Sequence, residues 1–516
     1  MKGRKFTVAC VQTRANELAD SGASLSRGLE LVGEAASSGA SLVLLPEAFY
    51  PAYYLGEFPA GKRTWRPEEG ASLLSARARE CGVYLAAGII LEEGGTTFNG
   101  GILWGPDGRE ILRTRKSNLW HFDSRYVSPG ETFDVASTEL GPLGMIICAD
   151  GRIPEICRIL ALKGARFVLD LANLTSSGRD REKLSNPQLE YTLAARAAEN
   201  GIWLAVADKV GLEAETVLNC GGSCVIDPQG NVVASASTFR EEILCVPVDL
   251  SLPVPPLPER FPERYASLAA PTERTRAFQN QLEPLLPVHD ELYASLLRFS
   301  PSSPSEYLAM ARRFIPRAVD QGGRLLFLPG FPWGDGSGSM DVLPGLLGDS
   351  GTVAALPVSS CGGGSPDSMV FFRREGEIGR GMKGRHVPVD TPAGRIGTLF
   401  DEEGWLPEPG RCLMIEGAEI VLWNAAGGVP SLSATLKIAR TRSSENRYFL
   451  LLSLGGPQGG GWILGPSGAP LAATLEGTDQ GIGAILRRME SRGKTVVPGT
   501  NIISGRRPEL YGFLTR

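Results

Sequence analysis

The strongest constraint on this chain is that one pattern of elements runs through it twice. Near the start, Phe6-Thr-Val-Ala-Cys-Val-Gln12 alternates as a strand does. Apolar residues at Leu25, Leu29, Leu31, Val32 and Ala35 predict a helix over about 24–37, which Gly39 ends. Leu42-Val-Leu-Leu45 follows, a short, wholly apolar strand of the kind buried on both faces, and Pro46-Glu47 closes it. Far downstream a helical stretch over about 305–319 leads through Gly322-Gly323 to Leu325-Leu-Phe-Leu328 and then Pro329-Gly330. Order and spacing agree, and Gly330 falls where Glu47 stood.

The second match needs no gap. Gly144-Met-Ile-Ile-Cys148-Ala-Asp150, Pro154-Glu155, Arg158 and Lys163-Gly-Ala165 align with Gly397-Thr-Leu-Phe-Asp401-Glu-Glu403, Pro407-Glu408, Arg411 and Glu416-Gly-Ala418. Cys148 therefore lies opposite Asp401. Arg196-Ala-Ala-Glu199-Asn200 likewise matches Arg442-Ser-Ser-Glu445-Asn446. Turn tetrads at 105–108, 227–230 and 465–468 mark hairpin tips, so part of each sheet is expected to be antiparallel. Pro253, Pro255, Pro256 and Pro258 exclude helix and central strand between the copies. The reading places a first domain at 1–275, a linker at about 276–292 and a second domain at 293–516, each an α/β layered domain.

Composition narrows the function. The 516 residues are too many for one core. With 52 Lys and Arg against 57 Asp and Glu, the chain offers no basic surface for nucleic acid. Its three histidines, His121, His289 and His386, lie far apart, so a histidine zinc site or a histidine relay is disfavoured. Nine cysteines lack paired metal-ligand spacing and read as free thiols of a cytoplasmic protein. No apolar run is long enough for a membrane span, and no signal peptide is visible. Neither a cofactor nor a metal is expected. If the chain is a hydrolase, its base is a carboxylate.

Three residues of the first copy stand at strand ends, where layered α/β folds place their sites. Glu47 follows Leu42–Leu45, Lys116 follows the strand at 111–115, and Cys148 follows Met145-Ile-Ile147. Singly, each reads as well as a loop carboxylate, an edge lysine or a small core residue. Together they form a set. A thiol needs a base to become a thiolate, a desolvated Glu47 can take that proton, and Lys116 with the N–H of Ala149 can stabilise an oxyanion. Such a set suits attack on the carbon of an amide or nitrile.

Leu44-Leu-Pro-Glu47, Arg115-Lys116 and Ile147-Cys148-Ala-Asp150 resemble the three signatures of the nitrilase, or carbon–nitrogen hydrolase, superfamily, and the resemblance covers 1–275. It implies an αββα sandwich with Glu47 as general base, Lys116 as oxyanion stabiliser and Cys148 as nucleophile. Many members carry a second glutamate past the lysine. Here that position holds Asp123, which either fills the role or is a surface turn residue. Arg152 either forks onto a substrate carboxylate or forms an ion pair with Glu155 or Asp150. Asn173 either edges the acyl pocket or is a plain loop residue.

The second copy has lost Glu47 and Cys148 to Gly330 and Asp401, with Lys383 as remnant, so the resemblance implies a non-catalytic domain there. It also implies that the two sandwiches pair within the chain, with further self-association left open. The expected reaction is hydrolysis of a small carboxamide or ureido (N-carbamoyl) compound with release of ammonia. The alternatives are a nitrilase and a non-catalytic scaffold.

Overall fold

A strand with no polar residue needs apolar neighbours on both faces, and Leu42-Val-Leu-Leu45 has them. Leu42 and Leu44 enter a core between two sheets, while Val43 and Leu45 enter a second core under two helices. Tyr84 and Ala86 alternate with Leu85 and Ala87 in the same way. This double burial dictates a layered domain, helix on sheet on sheet on helix.

The computed structural model describes residues 5–516 except 57–64, 255, 283–289, 332–337, 339–340, 360–364, 427–428, 430 and 456–458. Its contacts divide the chain into two units, Met1–Leu257 with Val497–Thr500, and Pro258–Val496 with Asn501–Arg516. The division at Leu257 and Pro258 lies ahead of the expected 275. Tyr265 and Leu268 are buried in the second unit, where Arg506 Nη2 donates to Leu268 O at 2.6 Å. The expected linker contains the helix Arg276–Leu282 and the start of the strand Glu291–Arg298, and its residues 283–289, His289 among them, lie outside the described residues.

In the first unit the strands are β1 (Lys5–Arg14), β2 (Leu42–Tyr50), β3 (Tyr84–Glu93), β4 (Thr96–Trp104), β5 (Glu110–Arg115), β6 (Val135–Thr138), β7 (Gly141–Ile147), β8 (Phe167–Leu171), β9 (Trp203–Ala207), β10 (Lys209–Glu213), β11 (Val217–Cys220), β12 (Cys224–Ile226), β13 (Val232–Ser235) and β14 (Glu242–Asp249). One sheet runs β11-β10-β1-β2-β3-β4-β5 with β14 against β1, and the other runs β13-β12-β9-β8-β7-β6. Strands β1, β2 and β3 are parallel, as are β7, β8 and β9, while hairpins add antiparallel strands at the edges. Helices α1 (Ser21–Ser37) and α2 (Pro67–Cys81) cover the first sheet, and α3 (Pro154–Leu162) and α4 (Leu193–Asn200) cover the second. Cys148 directly follows β7 and Asn173 lies just past β8, while Glu47 lies within β2, where its N–H donates to Ala172 O at 3.1 Å.

The second unit shows the same strand order. Strands β15 (Glu291–Arg298), β16 (Leu325–Phe327), β17 (Val353–Val358), β18 (Ser368–Arg373), β19 (Gly376–Met382) and β26 (Gln480–Arg487) form one sheet, in the order β19-β18-β17-β16-β15-β26. Strands β20 (Val389–Thr391), β21 (Gly394–Phe400), β22 (Ile420–Ala425), β23 (Phe449–Leu454), β24 (Gly461–Leu464) and β25 (Pro470–Ala473) form the other in sequence order. Each strand has a counterpart in the first unit, which differs by the added pair β10 and β11. No described helix is long and apolar enough to cross a membrane.

The register of β2 against β3 shifts between Leu45 and Tyr50, and Ala48 there has φ 40°. The bulge displaces the backbone around Glu47 toward β3. Gly88 makes room for it, since a Cβ at that position would lie 2.3 Å from Pro46 O and 2.6 Å from Glu47 Cα. Gly88→Ala is therefore expected to destabilise the fold by about 1–3 kcal/mol, the usual range for overpacking. Chemical denaturation measures this loss, and unchanged stability would refute the packing argument.

Candidate active site

Cys148 sits on a strained elbow. Strand β7 ends at Ile147, Cys148 takes φ 49°, and the chain turns into a short 3-10 stretch over Cys148–Arg152. The left-handed region costs an L residue about 1–2 kcal/mol, so neighbours must hold it there. Asp170 Oδ1 on β8 accepts the Cys148 N–H at 2.9 Å, and Gln188 Nε2 donates to Cys148 O at 2.9 Å. Arg196 on α4 donates from Nε to Gly151 O at 3.0 Å and from Nη2 to Arg152 O at 3.2 Å. Asp150 accepts the N–H groups of Ile147, Ser117 and Asn118 at 3.1, 3.0 and 2.8 Å, tying the elbow to the segment that follows Lys116.

The Cys148 thiol is almost fully buried and lies 3.7 Å from Asn173 O as donor. Burial pushes its pKa well up, the Glu47 carboxylate pushes the same way, and Lys116 opposes both. The resting sulfur therefore holds its proton and needs a base.

The carboxylate of Glu47 lies close enough to act on the thiol. It is wholly buried, and its Oε1 accepts Asn99 Nδ2 at 2.7 Å and Lys116 Nζ at 2.7 Å. Its Oε2 has no hydrogen-bond partner. One oxygen is thus fixed and the other is open to a proton. Burial raises the Glu47 pKa, Lys116 lowers it, and Asp123 raises it, with a net rise above the usual carboxylate range.

Lys116 stands between two carboxylates. Its Nζ lies 2.7 Å from Glu47 Oε1 and 2.7 Å from Asp123 Oδ2, with no exposed side-chain surface. Burial alone would favour the neutral amine. The carboxylates of Asp123 and Glu47 outweigh it and hold Lys116 charged, with its pKa well above the ordinary value. Asp123 is itself buried, accepting Tyr53 Oη at 2.8 Å on Oδ1 and the Trp120 N–H at 2.8 Å on Oδ2. It is therefore drawn into the site and is not a solvated turn residue.

Other expected residues surround this set. Ala149 is the second residue of the 3-10 turn, so its N–H has no acceptor within that turn. Asn173 is buried with neither amide atom partnered. Of the two readings of Arg152, the ion pair with Glu155 or Asp150 is not made. Asp150 is occupied by three backbone N–H groups, and the Arg152 guanidinium lies 4.3 Å above the Trp120 ring, with no carboxylate partner among the described residues. Asp150 stands in the third signature, though its bracing of the elbow was not foreseen, and sequence reasoning missed Asn99, Asp170, Gln188 and the hydroxyl of Tyr53 as supports. They come from separate strands and loops, and no motif marks them.

The second unit keeps the frame without these groups. Asp401 repeats the elbow with φ 47°, and Lys383 Nζ reaches its Oδ2 at 3.2 Å. Arg442 braces it through Nε to Gly404 O at 3.1 Å and Nη2 to Trp405 O at 2.7 Å, as Arg196 does in the first unit.

The family model described as carbon-nitrogen hydrolase matches residues 7–253. Omega-amidase NIT2-B of Xenopus laevis is 33% identical over 258 residues, covering 48% of this chain and 89% of that protein. A nitrilase of Pyrococcus abyssi is 32% identical over 234 residues, covering 44% of this chain and 84% of that protein. The crystal structure of an amidase from Nesterenkonia sp. has 27% sequence identity and a TM-score of 0.43, covering 48% of this chain and 92% of that one.

Two outcomes test the electrostatics. Lys116→Met leaves two buried carboxylates facing each other and is expected to cost about 3–5 kcal/mol in a denaturation experiment. Asp123→Asn removes the negative charge that helps raise Glu47. With Glu47 as the group that must be ionised, the acid limb of kcat/KM is expected to move to lower pH while kcat falls. A limb that moves to higher pH would contradict the assignment.

Proposed function

Because the chain belongs to the carbon–nitrogen hydrolase family, we propose that its first unit cleaves a small carboxamide or N-carbamoyl compound and releases ammonia. The observation that carries this reading is the enclosure of a thiol, a carboxylate with one open oxygen and a charged ammonium in one buried site. No histidine is needed.

The residues divide the work as follows. Glu47 Oε2 takes the Cys148 proton as sulfur attacks the carbonyl carbon. The negative oxygen of the tetrahedral intermediate is met by Lys116 Nζ and the Ala149 N–H. The intermediate collapses, the C–N bond breaks, and Glu47 returns the proton to the leaving nitrogen, which departs as ammonia. Water then attacks the thioester with Glu47 as base, and the acid and free thiol are released. Asp123 keeps Lys116 charged and in place. The open Asn173 amide orients the substrate, and Arg152, stacked on Trp120 without a carboxylate partner, suits an acidic group at the substrate's other end. The omega-amidase relatives support an amide substrate. The second unit, with Gly330 and Asp401 at the matching positions, is a non-hydrolytic copy of the same domain.

Cys148→Ala is expected to lower ammonia release from a panel of amides and ureido acids by at least about a thousandfold with folding intact by circular dichroism. Intact-mass analysis should find the substrate's acyl group on Cys148. Asp401→Asn should leave the rate within about twofold. Retained activity in Cys148→Ala would overturn the mechanism, and faster turnover of nitriles than of amides would overturn the substrate class.

A further inference from the structure

We propose that the second unit contains a separate binding site, without chemistry, for a small molecule that carries a primary carboxamide. A cavity of about 770 Å³ opens in this unit, within the range of roughly 300–1,000 Å³ that small-molecule sites occupy. Gly330 and Asn424 line it, with the hydroxyl-bearing Ser453 beside them and Asp479 on its exposed rim. Gly330 stands where the first unit has Glu47, so the cavity includes the space that the lost side chain would take.

Asn424 is the informative residue. It pairs with Phe400 on one side and Ser453 on the other, and Ile147 pairs with Leu171 at the matching register of the first unit. Leu171 is fully buried in the apolar core between the sheets of the first unit. The second unit puts an amide at that position instead. It is 1% exposed, and neither its Nδ2 nor its Oδ1 has a hydrogen-bond partner. A Cβ on Gly330 would lie 3.2 Å from Pro366 Cγ and 3.8 Å from Asn424 Oδ1, so the amide borders the place of the lost side chain, which the Pro366 ring partly takes. A buried amide without partners is unfavourable in the empty protein, and a ligand that pairs with it removes the penalty.

The ligand class follows from the atoms that Asn424 offers. Oδ1 wants a donor and Nδ2 wants an acceptor, side by side. A primary carboxamide supplies both in one plane and closes two hydrogen bonds. A carboxylate would serve Nδ2 and repel Oδ1, and an ammonium would do the reverse. The biological sense of this site rests on the reading of the first unit, since the group bound is the one that unit would hydrolyse. The second unit would then sense substrate without consuming it.

The test uses the full chain carrying Cys148→Ala, so that nothing is turned over, and propionamide as probe with propionate as the control lacking the amide. Binding is followed by ligand-observed NMR titration. The expected result is a propionamide component that weakens at least tenfold when Asn424→Leu is added, while propionate shows no such component. Asn424→Leu restores the residue type of the first unit, so its unfolding temperature without ligand should rise, which separates lost binding from lost folding. In the chain with Cys148 intact, Asn424→Leu should leave the maximal rate of ammonia release unchanged. A propionamide titration unaffected by Asn424→Leu, or an Asn424-dependent component equally strong for propionate, would overturn the proposal. Neither result bears on the Cys148 chemistry, which is judged by ammonia release alone.

Discussion

An ammonium group buried without any contact with water is the constraint around which the first unit is built. Moving Lys116 from water into the protein costs several kcal/mol unless opposite charge meets it closely. Two carboxylates do so at 2.7 Å each, and they arrive from different parts of the chain. Glu47 comes from the bulge of β2, Lys116 follows β5, and Asp123 comes from a loop pinned by Tyr53 and Trp120. None can relax without exposing the others as unpaired charge. The same requirement that rigidifies the unit presents a fixed positive charge beside the thiol before any substrate enters. Preorganisation of this kind is where electrostatic catalysis gets most of its effect.

The chemistry and the frame are held by different bonds. The elbow at Cys148 depends on Asp170, Gln188, Asp150 and the guanidinium of Arg196, none of which needs the thiol. The second unit demonstrates this separation. Asp401 keeps the left-handed turn, Arg442 keeps the brace, and the buried pair Arg442–Glu445 at 2.7 Å repeats Arg196–Glu199 at 2.7 Å. Lys383 is about one-third exposed, so its solvated ammonium does not demand two carboxylates. Once the lysine is wetted, a residue like Glu47 has no structural reason to remain.

Much of the fold was legible because burial writes itself into the sequence. Leu42–Leu45 reads as a doubly buried strand since both of its faces meet apolar layers, and the turn tetrads at 105–108, 227–230 and 465–468 close as expected, with Gly108, Gly230 and Gly468 donating back across each turn. Glu47, Lys116 and Cys148 were legible as strand-end residues of a known pattern. Asp123 was left open because a one-residue loop choice does not show whether a side chain turns inward. Asn99 was not legible, and Tyr53 was legible only as one of several aromatic residues that could line the pocket, without its bond to Asp123. Their contacts join residues 52 and 70 positions apart, and only the strand pairing brings them together. The contact-based division of the chain falls ahead of the expected 275 for a related reason. Residues 258–275 look like a tail of the first copy, but Tyr265 and Leu268 find their burial in the second unit.

Unpartnered buried polar atoms show where the structure gives up stability. Glu47 Oε2, Asn99 Oδ1, Asp170 Oδ2 and both amide atoms of Asn173 gather around Cys148, and both amide atoms of Asn424 lie at the matching end of the second unit. Each such group costs about 1–3 kcal/mol relative to a paired or apolar one. Scattered through a core they would simply weaken the protein. Others lie elsewhere, Asn200 Oδ1, Asn219 Oδ1 and Thr272 Oγ1 among them, so it is those beside a cavity or a reactive group that mark where an incoming polar molecule can restore what folding left unmet. The first unit combines that deficit with the buried thiol of Cys148, carboxylate of Glu47 and ammonium of Lys116, and the second retains the deficit without that set. On the carboxamide-site proposal the second unit is a binding copy of the fold, since the unpartnered amide of Asn424 stands where the first unit has the buried Leu171.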